Sequence, residues 1–129
     1  MYLNSSDNER KYLGDCGEEL VARWLEGYGF SILARNYRTK EGEIDIIAQR
    51  LEVVAFVEVK TRETEYFDPA NAVTFRKQKR IIKAAQSFIF SKKIIDKVLR
   101  FDVATVIYED KDRGKYSIKY IRNAFTVSR

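Results

Sequence analysis

Gly42-Glu43-Ile44-Asp45-Ile46-Ile47-Ala48 and Val54-Ala55-Phe56-Val57-Glu58-Val59-Lys60-Thr61-Arg62 read as two successive strands. Both are rich in Ile, Val and Phe, the residues that suit a pleated, half-buried surface. Both also carry charge where a plain core strand would stay apolar. Side chains two apart in a strand share a face, so Glu43, Asp45 and Ile47 are predicted on one side, with Ile44, Ile46 and Ala48 on the other. In the second strand Phe56, Glu58, Lys60 and Arg62 share a face opposite Ala55, Val57 and Val59. Carboxylates turned inward are costly unless a cation neutralises them. Mg²⁺ suits this need, because it takes one or two protein carboxylates and keeps water on its remaining positions. A buried salt-bridge network of Asp45, Glu58 and Lys60 is the alternative that needs no metal.

An aspartate in one strand, with Glu-x-Lys in the next, resembles the active-site pattern of the PD-(D/E)XK nuclease superfamily. Gly42-Glu43-Ile44-Asp45 together with Phe56-Val57-Glu58-Val59-Lys60-Thr61-Arg62 is similar to the YraN-like proteins, which in turn resemble Holliday-junction resolvases. Arg100-Phe101-Asp102 and the helical pair Gly17-Glu18 add to the likeness. The resemblance implies an α/β, restriction-endonuclease-like fold with a central mixed sheet flanked by helices. It also implies Mg²⁺ or Mn²⁺ held by Asp45, Glu58 and the backbone carbonyl of Val59. Lys60 would act in catalysis and Glu18 would stand near the metal. The expected substrate is DNA, and junction specificity would call for a homodimer.

The chain has 129 residues, 45% hydrophobic and 33% charged, the composition of one soluble globular domain spanning 1–129. Without histidine, Ser-His-Asp chemistry and His-ligated metal sites are excluded. The lone Cys16 excludes an internal disulfide and reads as a structural thiol on a helix. No apolar run approaches the ~20 residues of a membrane span and no signal-peptide core is visible, so a cytoplasmic protein without membrane contact is expected. A net charge of +5 favours an anionic partner.

In chain order, residues 1–5 are expected to fray. Ser6-Asp7-Asn8-Glu9 has capping-box spacing and opens a helix whose stripe is Leu13, Cys16, Leu20, Val21, Trp24, Leu25 and Tyr28. Gly27 and Gly29 close it. Gly14, Glu18 and Ala22 form a row along which the helix could approach another element. Glu18 would then lie in the contact, the alternative being a solvated glutamate. A strand over 30–38 and the turn Thr39-Lys40-Glu41-Gly42 make a hairpin with the strand through Gln49, Gly42 supplying an unusual backbone angle. Asp68-Pro69 suits the start of a second helix running to about Phe90.

Lys77 interrupts that helix's apolar stripe between Val73 and Ile81, so it either snorkels or meets buried acids. The other face carries Arg76, Lys79, Arg80 and Lys83, which with Lys77 and Arg62 are candidate nucleic-acid contacts. Two strands, from Phe101 through Tyr108 and from Tyr116 to Ile121, complete the order α-β-β-β-α-β-β. The expected activity is metal-dependent hydrolysis of DNA phosphodiester bonds, with a catalytically silent nucleic-acid-binding module on the same fold as the rival. A protein–protein adaptor rests on aromatic content alone.

Overall fold

Five strands, lying side by side in the order of the sequence, form one mixed sheet. This computed structural model describes residues 5–63 and 73–127. The elements are α1 (Ser5–Gly27), β1 (Ser31–Arg38), β2 (Glu43–Arg50), β3 (Val53–Arg62), α2 (Phe75–Lys92), β4 (Val98–Asp110) and β5 (Lys115–Phe125). Short turns make β1, β2 and β3 an antiparallel meander. The crossover through α2 makes β4 parallel to β3, as a return to the same end of the sheet requires. β5 then pairs antiparallel with β4. The chain therefore has the α/β, restriction-endonuclease-like architecture expected from its sequence, in the expected element order.

The two helices cover opposite faces. Val21, Ala22 and Leu25 of α1 pack with Ile46, Ala48, Ala55, Val57, Ala104 and Val106. Ile81, Ala84, Ala85 and Phe88 of α2 pack with Ile47, Val54, Phe56, Phe101 and Val103. Alternation along β3 follows the period of two throughout: Phe56 faces α2 while Ala55 and Val57 face α1. Alternation along β2 does not. Ile44 joins Ile47 under α2 rather than Ile46 under α1. The break coincides with Asn36 of β1, which sits between the residues paired with Ile46 and Ile44 and has a left-handed φ of 51°.

Several boundaries and roles also differ from expectation. Ser5 is already helical, and residues 1–4 lie outside the described residues. The second helix begins at Phe75, where the Thr74 hydroxyl accepts from the Lys77 N–H at 3.2 Å. Asp68-Pro69 lies outside the described residues, and Val73, though buried, precedes the cap. The Thr74 cap has no acidic residue in the turn that follows it, so it carries no capping-box signature.

Gly42 is needed for space rather than for backbone angle: a Cβ there would come within 2.5 Å of the Arg80 carbonyl oxygen. On α1 the close approach is at Gly17, where a Cβ would meet the Thr61 hydroxyl at 2.5 Å. Gly14 faces open space, and Ala22 is in the core. The face toward β3 and β4 runs through Gly17 and Val21, one residue round the helix from the row predicted.

Candidate active site at the parting of β2 and β3

The β2–β3 ladder ends at the pair Ile46–Val57. Beyond it β3 continues alone against β4, as far as Arg62 opposite Ile107. Asp45 and Glu58 stand just past this parting. The Asp45 Oδ2 accepts the Val59 N–H at 2.8 Å, so a side-chain oxygen takes the ladder partner that β2 no longer supplies. Glu58 and Lys60 follow Phe56 on the α2 side, as the period of two requires. Glu58 is 6% exposed and Lys60 15%.

A buried carboxylate needs cationic company, and Glu58 has two partners. Lys60 Nζ lies 3.3 Å from its Oε1. Lys77, in the first turn of α2, reaches the same oxygen at 2.6 Å. Of the two sequence-level readings of Lys77, the structure shows the one in which it meets a buried acid. Burial and the adjacent Lys77 ammonium lower the pKa of Lys60. Desolvation pulls Lys77 down, but the bonds to Glu58 and Lys60 and the charges of Glu58 and Asp45 together outweigh it, so its pKa shifts upward. Asp45 is raised from 3.8 to about 7, first by burial and then by repulsion from Glu58.

Glu18 comes from α1, on the other side of the sheet. Burial raises its pKa, Arg35 opposes the shift, and Asp15 and Glu43 add to it. It acts on Asp45 through its charge, without bonding to Glu58 or Lys60. Glu19 is bound by Arg23 and Arg35 at the surface. Glu43 opens β2 as an exposed partner of Arg38 at 3.4 Å. At the end of β3, the Arg62 guanidinium donates to the Thr61 carbonyl at 2.8 Å.

The basic residues of α2 divide between two faces. Arg76, Lys77 and Arg80 line a groove of about 490 Å³ with Arg38, Thr39, Gly42 and Glu43, and Lys77 joins this groove to Glu58. Lys79 and Lys83 line a different groove, of about 360 Å³, with Phe75 and residues after β5. Lys79 Nζ there sits 4.6 Å from the centre of the Phe75 ring.

Two further polar residues matter. Thr105 is the register partner of Lys60 on β4, and its buried hydroxyl has no partner among the described residues. Its position inside an apolar run concealed it in the sequence. Asp102 is fully buried and accepts from Arg100, from the Tyr120 hydroxyl at 2.5 Å and from the Asn123 N–H at 2.9 Å. These bonds satisfy its carboxylate and clamp β5 to β4 where their register shifts. Burial, and then the charge of Asp102, push Tyr120 far above the usual phenol range. Asp102 is thus a structural acid.

A metal here would rest on few protein ligands. Among the described residues no three His, Cys, Asp or Glu side chains are grouped closely enough to hold one. Asp45 and Glu58 alone fit Mg²⁺ or Mn²⁺, which share their coordination with water and substrate oxygens.

Comparison with known proteins agrees with the likeness read from the strands. Residues 17–106 match the model of the uncharacterised protein family UPF0102. A UPF0102 protein of Alkaliphilus metalliredigens is 45% identical over 116 residues, which cover 89% of this chain and 98% of the relative. One from Clostridium botulinum (strain Loch Maree / Type A3) is 45% identical over 119 residues, covering 91% and 96%. One from Clostridium perfringens is 42% identical over 118 residues, with the same coverage. The chain belongs to the UPF0102 family, the YraN-like proteins.

Proposed function

We propose that the protein is a metal-dependent endonuclease that hydrolyses phosphodiester bonds in DNA. One observation carries this reading: Asp45, Glu58 and Lys60 converge where β2 leaves β3, beside a groove lined by Arg38, Arg76, Lys77 and Arg80. Asp45 and Glu58 would hold Mg²⁺ or Mn²⁺, with the Val59 carbonyl as a further ligand. The ion would acidify a bound water and draw charge from the phosphate. The N–H of Val59 fixes the Asp45 carboxylate and leaves its other oxygen to coordinate. Lys60, its pKa lowered by burial and by Lys77, would steady the attacking water or the extra charge on the phosphate. Arg76 and Arg80 would bind backbone phosphates along the groove, and Glu18 would tune Asp45 through the sheet. A junction substrate would require two such sites in a homodimer.

The rival reading is a nucleic-acid-binding module without cleavage, and the occupation of Glu58 by two ammonium groups favours it. Incubation with Mn²⁺ and a panel of single-stranded, flapped and branched DNA separates the two. The nuclease reading expects cutting that Asp45→Ala and Lys60→Ala abolish while DNA affinity stays within a few-fold. Binding without metal-dependent cutting of any structure would leave the module.

A further inference from the structure

Glu58 holds more positive charge than it needs. Two ammonium groups share its Oε1, at 2.6 Å from Lys77 and 3.3 Å from Lys60. They are not equivalent. The Lys60 side chain is 15% exposed, and its stem lies inside the α2 face of the sheet. The Lys77 side chain is 43% exposed and also lines the groove with Arg38, Thr39, Gly42, Arg76 and Arg80. Among the described residues the only acid lining that groove is Glu43, already paired with Arg38. Its shape is set firmly: the Arg80 guanidinium donates to the Glu41 carbonyl at 3.1 Å, and Gly42 sits flush against the backbone of α2. Lys77 therefore stands at the border between a carboxylate of this chain and a groove lined by arginines.

We propose that Lys77 is a substrate-positioning residue that changes partners. It joins Lys60 in neutralising Glu58 while that carboxylate holds no divalent ion, and it turns onto a backbone phosphate in the groove once Glu58 takes one. The inference rests on the nuclease reading and adds a coupling to it. Three positive groups on one carboxylate repel one another, and Lys77 is the one with a path outward on a flexible four-carbon stem. Its ammonium then joins Arg38, Arg76 and Arg80 around the polyanion. Divalent ion and nucleic acid consequently strengthen each other's binding through one side chain, and the coupling is reciprocal.

Two titrations on the full chain test this. With Mn²⁺ alone, Lys77→Met should bind the ion about fivefold more tightly than wild type, the size of a partly exposed ion pair removed from competition. Lys77→Arg, which keeps the charge, should stay near wild type. With fluorescein-labelled single-stranded DNA in EDTA, Lys77→Met should match wild type within about twofold. In Ca²⁺ it should bind more weakly, its salt slope shallower by ~0.7 for one lost phosphate contact.

Equal or weaker Mn²⁺ binding by Lys77→Met would overturn the proposal, as would a DNA defect of equal size in EDTA and Ca²⁺. If either result came with intact metal-dependent cutting by the wild type, the nuclease reading would survive. Failure of both proteins to bind Mn²⁺ would sink the two together.

Discussion

Asp45→Asn should make the metal-free protein more stable, and increasingly so as pH rises. In the fold its carboxyl titrates near 7 instead of 3.8, because burial and the Glu58 charge disfavour its ionised form. As pH climbs through that interval, the unfolded chain releases this proton before the folded one does. The folded state binds more protons, so stability is lost with rising pH. A difference of about three pH units, at ~1.4 kcal/mol each, caps the loss at ~4 kcal/mol.

Water entering between the parted strands reduces that figure. Between pH 5 and pH 8 the gap between variant and wild type should widen by about 2 kcal/mol. The asparagine carbonyl can still accept the Val59 N–H, which keeps the local geometry comparable. Urea unfolding in EDTA at several pH values, analysed at constant denaturant slope, reads the effect directly. Adding Mn²⁺ should stabilise wild type at pH 8 and leave Asp45→Asn nearly unchanged. A gap that stays flat from pH 5 to pH 8, or an asparagine variant less stable than wild type, would refute the argument.

Gly42→Ala and Gly17→Ala should differ in cost. The first drives a methyl into the Arg80 backbone carbonyl and should lose ~1–3 kcal/mol in thermal unfolding. The second meets a threonine hydroxyl that can rotate away, so its loss should be smaller. Asp102→Ala strands the half-buried Arg100 guanidinium and the Tyr120 hydroxyl and should cost ~3–5 kcal/mol by urea unfolding, without a selective effect on metal binding. Arg76→Ala with Arg80→Ala should flatten the salt dependence of duplex DNA binding by up to ~2 in slope. The pair Lys79→Ala and Lys83→Ala, on the other groove, should change it much less.

The one-dimensional pattern determined the element order and the side of β3 on which Phe56, Glu58 and Lys60 lie together. Both follow from local periodicity: 3.6 residues for α1 and α2, two for the strands. The residue types likewise limited the chemistry, since a chain without histidine leaves carboxylates and lysine to do the work.

Packing decided the remainder. The partner of Lys77, the need for glycine at positions 17 and 42, and the burial of Asp102 are contacts between residues far apart in the chain. The division of the basic residues on α2 depends on which groove each one borders, and that follows from how the helix lies on the sheet. The side on which Ile44 packs turns on the parting of β2 from β3 and the left-handed Asn36 alongside, which a strict alternation does not anticipate. Periodicity says which face a side chain shares with its neighbours in sequence, whereas its energy is set by the groups that tertiary structure brings against that face.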